Sequence, residues 1–324
     1  MADRATALDH STFGPLTEPL RRDLLLHCYR FTGSVHDAED LVQETLARAW
    51  RGRGEYRGDA GLRTWLHRIA TRVCLDSLRR RRAARRTLPS ALRGATGEEQ
   101  LWLEPLPDDY LGDADADPAS TYDVRESVSL AFLTAIQLLP PRQRAVLLLR
   151  DVLALRAEEV ASVLETSTAA VNSLLHRARR TMRDHYRRPP SPSSAEPQTI
   201  ELLRRYVNAW EAGDVGALLS ILKTDAILEM PPIPTAAIGH AAIRAFLERT
   251  VLDGTRGRWH GVTTEANGGP AVALYRRENA RYVFTGLQLL AMGDGKVGTV
   301  TAYMDAGLAR RFHLPATLEV RDRC

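Results

Sequence analysis

Thr168, Asn172, His176, Arg177, Arg179 and Arg180 recur at a spacing that gathers them on one side of a helix. These side chains bond to phosphate oxygens and to base-pair edges, so the chemistry they offer is non-covalent reading of DNA. Val171, Leu174, Leu175 and Ala178 fall on the opposite side, at the spacing that buries a face. Ser167 stands before them as an N-cap, and Val160, Ala161 and Leu164 mark one face of a shorter preceding helix. Residues 157–180 therefore read as a helix-turn-helix. The plainer alternative is a helical hairpin whose arginines are only a solvated face. Acid–base candidates are sparse: Asp225, Glu229, His240, His260 and Asp305. KTDA around Asp225 reads as a turn, and His240, after a glycine, as a helix cap. None forms a convincing acid–base pair, so no catalytic residue is expected.

The elements that must position these residues follow from the chain's organisation. Its 324 residues exceed what one core usually serves, and 44% hydrophobic residues suffice for two or three domains. The formal net charge is only +4. Of the 44 basic residues only Lys223 and Lys296 are lysines, a bias that a GC-rich genome also produces. Cys28, Cys74 and Cys324 lack any CxxC or Cys/His spacing, which argues against a zinc site and a disulfide framework. No apolar signal core and no membrane-length run is present, so the expectation is a cytoplasmic chain with no membrane partner, metal or cofactor.

Composition separates the zones. Residues 18–86 are helical and arginine-rich; 87–125 carry Pro89, Gly94, Gly97, Pro105, Pro107, Gly112 and Pro118 and read as a linker. Residues 126–188 are helical again, and 189–197 form a Pro/Ser tether. Residues 198–315 combine helices with apolar runs at 271–277, 282–292 and 296–304, which predicts an α+β domain with an antiparallel sheet.

In the first zone, HDAEDLVQETLARAW (36–50) puts Leu41, Val42, Leu46, Ala49 and Trp50 on a core stripe and Asp37, Glu39, Asp40, Gln43 and Glu44 outside. By itself that acidic face reads as solvated surface. Along 55–86, Leu62, Trp65, Leu66, Ile69, Ala70, Val73, Leu75 and Leu78 supply the apolar stripe. Arg63, His67, Arg68, Arg72, Arg79, Arg80, Arg81 and Arg82 cover the rest. Six arginines between 79 and 86 attract phosphates. Tyr56 and Trp65 beside them suit stacking on an unpaired base, with a core role as the alternative for Trp65.

These residues carry a resemblance. DAEDLVQETLARAW with TWLHRIATRVCLDSLRRRR resembles region 2 of the sigma-70 family of bacterial transcription initiation factors. LPPRQRAVLLLRDVLALRAEEVASVLETSTAAVNSLLHRARR (139–180) resembles region 4. No room remains for region 3, so the chain is similar to the extracytoplasmic-function group. The resemblance implies that Asp40, Leu41, Gln43 and Glu44 dock on the clamp helices of the largest subunit of core RNA polymerase, and that region 4 meets the flap of the second-largest. It implies that the segment from Tyr56 through Trp65 opens the −10 element and captures a flipped base, with Arg63, Arg68, Arg72, Asp76 and Arg79 on the helix that runs through and beyond it. Ser167, Thr168, Asn172, Ser173, His176, Arg177 and Arg180 fall on the helix that reads the −35 element. Relatives commonly have asparagine at Arg72, glycine at Glu165, and a basic or polar residue at Leu174.

Residues 98–126 hold ten acidic residues and one basic one, Arg125. WLEPLPDDY (102–110) also contributes Trp102, Leu103, Leu106 and Tyr110 beside Glu104. One expectation is that this strip occupies a cationic groove, in the polymerase or on the chain's own arginine surface; the other is a solvated spacer. The C-terminal zone resembles the SnoaL-like family, related in fold to nuclear transport factor 2, which implies a curved sheet and helices around a cone-shaped pocket. The resemblance makes this domain a regulator in cis through Trp102, Glu104, GDGKV (293–297, with Asp294 and Lys296) and the segment from Met304 and Asp305 to Phe312. Trp210, Trp259, Tyr282, Phe284 and Tyr303 either line a pocket for an unknown small ligand or form the core. The multidomain reading is thus two all-α domains and an α+β cone. Two other functions remain open: a stand-alone helix-turn-helix regulator with a sensing tail, or a SnoaL-type enzyme fused to a DNA-binding module.

Overall fold

The computed structural model describes residues 8–56, 58, 61–86, 103–112, 124–186, 196–231, 233–252 and 257–320. They fall into two units, Met1–Glu104 with Leu130–Arg187, and Pro105–Ser129 with Arg188–Cys324. Residues 105–129, read above as linker and the start of the second helical zone, thus belong to the C-terminal unit.

Among the described residues the first unit holds helices and no strand. A short α1 (Phe13–Thr17) leads to α2 (Arg21–Thr32), α3 (Val35–Arg51) and α4 (Leu62–Arg86). Gly33, at φ +70°, ends α2 and allows α3 to start at once, with Ser34 accepting from the Asp37 N–H at 3.1 Å. Val35, Ala38, Leu41, Val42, Thr45 and Ala49 are the buried stripe of α3. His67, expected on the outside of α4, is 2% exposed. Its ring meets His27 edge-on at 5.1 Å, and its Nδ1 donates to the Arg63 carbonyl at 2.8 Å. A histidine can fill a helical core position when neighbours satisfy its nitrogen, and periodicity alone does not distinguish that case.

The second helical set is α5 (Leu130–Gln137), α6 (Pro141–Leu147) with a π turn at Leu148–Val152, α7 (Ala157–Leu164) and α8 (Thr168–His185). Buried Arg144 of α6 anchors it to α2: Arg144 donates to the carbonyl of Phe31, to Gln137 Oε1, to the Gln137 carbonyl at 2.8 Å and to the Leu139 carbonyl at 3.3 Å. Burial lowers its pKa to about 10, which leaves it charged at neutrality.

The second unit has α9 (Pro197–Ala212), α10 (Val215–Ile221), β1 (Leu222–Met230), β2 (Ile233–Ile238), α11 (Gly239–Thr250), β3 (Trp259–Ala266), β4 (Gly269–Glu278), β5 (Arg281–Gly293), β6 (Lys296–Tyr303), α12 (Leu308–Arg311) and β7 (Thr317–Glu319). The sheet order is β2-β1-β6-β5-β4-β3, with β7 on β5. The three runs read from sequence are β4, β5 and β6. The sheet is not purely antiparallel, because β1 pairs with β6 in parallel. Asp225 lies within β1, not in a turn. His240 lies in the first turn of α11 with Nε2 3.3 Å from the Leu222 carbonyl, so it is not the cap.

Candidate polymerase and nucleic-acid interface

Helix α8 begins where Ser167 caps it, accepting from the Ala170 N–H at 3.2 Å. Val171, Leu175 and Ala178 are buried, Leu174 is half-buried, and Thr168, Asn172, Ser173, His176, Arg177 and Arg180 are exposed together. Arg179 is drawn away from that row. Both arms of its guanidinium bond to Asp151, Nε to Oδ2 at 3.0 Å and Nη2 to Oδ1 at 2.6 Å. Arg142 donates to the Leu164 carbonyl at 3.1 Å, which satisfies an end of α7. Glu165, after α7, adopts φ +50°, a left-handed backbone that glycine adopts more readily.

Tyr56, ahead of α4, and Trp65, in its first turn, stand with ring centroids 5.2 Å apart and both half-buried. Trp65 is therefore neither a closed core residue nor fully exposed. Arg63 pairs with Asp23 at 2.8 Å, Arg79 with Asp76 at 3.6 Å, and Arg68 is half-buried. Arg72 donates from Nε to the Val163 carbonyl at 3.2 Å and pairs with Glu165.

On α3, Asp40 and Gln43 are exposed, and Glu44 is held by Arg48 at 2.7 Å. Leu41 is 6% exposed and faces the core. Leu41 is thus core packing of α3, and not the surface contact that the resemblance implied.

Within the helical unit the described part of the linker strip is Leu103 and Glu104. Glu104 caps α3: its carboxylate accepts from Ser34 Oγ at 2.9 Å, the Val35 N–H at 3.0 Å and the His36 N–H at 3.2 Å. Tyr29 donates to its carbonyl at 2.6 Å. The positive end of the α3 dipole favours that carboxylate. Trp102 lies outside the described residues.

In the C-terminal unit Asp294 pairs with Lys223 at 2.7 Å, Lys296 is exposed, and Asp305 accepts from the Gly307 N–H at 2.8 Å as a turn-former. Trp210 and Trp259 are buried edge-to-face at 5.6 Å within the core cluster, and Phe284 and Tyr303 are also buried. Tyr282 is half-buried and donates to the Gly257 carbonyl at 3.0 Å. Glu229 accepts from Thr301 at 2.7 Å. One acid–histidine pair escaped the sequence reading: His260 Nδ1 lies 2.7 Å from Glu211 Oε1. Glu211 sits in the last turn of α9 and β3 packs alongside that helix, so no local spacing connects the two.

Three family models match this chain: Sigma-70 region 2 over 16–84, Sigma-70 region 4 over 129–182 and a SnoaL-like domain over 203–299. The ECF RNA polymerase sigma factor SigG of Mycobacterium tuberculosis is 46% identical over 322 residues, covering 94% of this chain and 85% of that protein. The chain belongs to the extracytoplasmic-function sigma factors. This sigma factor is also similar to SigJ of the same organism, 34% identical over 211 residues, covering 64% of this chain and 61% of that protein. The crystal structure of SigJ matches with a TM-score of 0.60 at 25% identity, covering 93% of this chain and 99% of that one. The sigma factor therefore binds core RNA polymerase and directs promoter-specific initiation, a task of recognition without bond chemistry. No helix among the described residues is long and apolar enough to cross a membrane.

Proposed function

We propose that α8 reads the −35 element in the major groove through Thr168, Asn172, Ser173, His176, Arg177 and Arg180, while Ser167 sets the start of the helix. Tyr56 and Trp65 receive an unpaired −10 base, and Arg63, Arg68 and Arg79 hold the backbone beside it, while Arg72 stays on the end of α7 and takes no part. Asp40, Gln43 and Glu44 dock on the clamp helices of the largest polymerase subunit, and region 4 on the flap of the second-largest. The SnoaL-like unit modulates this activity in cis and acts without catalysis. The observation that carries the reading is the exposed polar row on α8, opposite a buried Val171, Leu175 and Ala178 face. Such a helix offers its base-reading side to a groove and its apolar side to its own fold.

Run-off transcription with core polymerase on the gene's own promoter tests it. Charge reversal at Asp40 and Glu44 abolishes complex formation with core, and truncation after residue 197 changes transcript yield without abolishing it. Unchanged core binding in the charge-reversed protein would overturn the docking assignment.

A further inference from the structure

Asn267 closes the linker onto the turn between β3 and β4. It is buried at φ +55°. Its N–H donates to the Leu106 carbonyl at 2.9 Å, its Oδ1 accepts from the Leu106 N–H at 2.9 Å, and its Nδ2 donates to the Val128 carbonyl at 2.8 Å. One amide thus holds both ends of the acidic segment.

Beside it, Asp108 Oδ1 accepts from the Gly268 N–H at 2.8 Å. Arg125 closes over Gly268, where an added Cβ would stand 2.9 Å from the Arg125 Cβ. Asp108 Oδ2 is buried and has no hydrogen-bond partner among the described residues. Arg125 reaches it only at 3.6 Å, while its other arm lies 3.7 Å from Glu265 Oε2. Two carboxylates therefore share one guanidinium, with Asp108 buried and Arg125 and Glu265 part-exposed, and ionising both leaves one negative charge more than the guanidinium offsets, beside the buried Asp108.

We propose that this clasp is a proton-operated latch: a proton in the Asp108–Glu265–Arg125 site holds residues 106–108 and 125–128 on the β3–β4 turn, and losing it loosens them. Burial raises Asp108 from 3.8 to about 7; Glu265 pushes the same way, and the Gly268 N–H and Arg125 oppose. The docked linker thus keeps a proton that the released linker gives up. Docking is strongest at acid pH, weakens as pH rises towards 7, and levels off above it. Between pH 6 and 8 the change is about tenfold. The other charged groups nearby are Glu126, next to Arg125, and Asp109, whose carboxylate lies 3.6 Å from His313 Nε2.

The test is hydrogen exchange of the Leu106 and Asn267 amides in the full chain, corrected for intrinsic pH dependence. Their protection is expected to be about tenfold higher at pH 6 than at pH 8. Asp108→Asn flattens that dependence, and His313→Gln leaves it in place. Should Asp108→Asn perturb the fold, Glu265→Gln serves instead, moving the midpoint to lower pH. A flat wild-type profile, a slope lost in His313→Gln, or an unmoved midpoint in Glu265→Gln overturns the latch. Any effect on transcription rests on the cis-modulator reading. A working latch with transcription unchanged between pH 6 and 8 in wild type and Asp108→Asn would sink that reading and leave the latch standing.

Discussion

Arg72 Nη2 lies 3.2 Å from Glu165 Oε1, so α4 and the turn between α7 and α8 meet through one ion pair. Arg72 belongs to α4 and Glu165 to the turn of the helix-turn-helix. The same guanidinium donates to the Val163 carbonyl at the end of α7. Side-chain exposures of 52% and 79% make the ion pair itself weak, and the carbonyl bond the firmer contact.

Arg72→Ala is therefore expected to lower the stability of the helical unit by about 1 kcal/mol, and Glu165→Ala by less than about 0.5 kcal/mol. Urea unfolding of both variants and of the double mutant measures this. A coupling energy above about 1 kcal/mol would mean the pair is shielded from water, contrary to its exposure.

Arg177 and Arg179, two residues apart on α8, should separate cleanly. Arg177→Ala is expected to weaken promoter binding by about 1–3 kcal/mol with no change in melting temperature. Arg179→Ala should leave DNA affinity nearly intact and destabilise the fold by about 1 kcal/mol, because Arg179 is committed to Asp151. Fluorescence anisotropy on a −35 duplex, paired with thermal melts, reads both.

Glu104→Ala removes the acceptor for two free N–H groups and for the Ser34 hydroxyl at the start of α3. The expected loss is about 1–2 kcal/mol, typical of a lost N-cap. Exchange of the Val35 and His36 amides should rise in step. Unchanged exchange there would show that water replaces the carboxylate without cost.

Burial holds His27 well below its ordinary value of 6.5, and His67 is also lowered. The unfolded chain takes up protons below pH 6.5 that the folded core refuses. The contribution of these two rings to the stability of the helical unit is therefore flat above that pH and falls beneath it. His27 alone accounts for about 1.4 kcal/mol per pH unit for as long as its folded ring stays neutral. Melts of wild type and His27→Gln between pH 7.5 and 5 check this, the variant showing the shallower decline.

The helices that carry the proposed interface were legible in the sequence. The caps and apolar spacing of α8, the arginine run of α4 and the acidic face of α3 are local patterns, and local patterns fix local structure. Ser167 capped where expected, and Val171, Leu175 and Ala178 faced inward. His67 shows the limit: periodicity names a face, but it does not say whether an imidazole finds a partner inside. For Leu41 periodicity named the core side, where it lies.

By itself the sequence determined the family, the two helical motif blocks and the presence of a distinct α+β tail. Only the tertiary structure decided which charges are committed and which are free. Arg179 is held by Asp151, Arg72 by the end of α7, Glu104 by the start of α3, His260 by Glu211, and Asp108 by a turn some 160 residues away. The same is true of the parallel β1–β6 pairing and of Asn267 gripping the linker. Each joins residues far apart in the chain, and such a contact leaves no spacing to read. It exists because burial elsewhere brings the two segments together, and only then does a buried polar group acquire the partner that its desolvation requires.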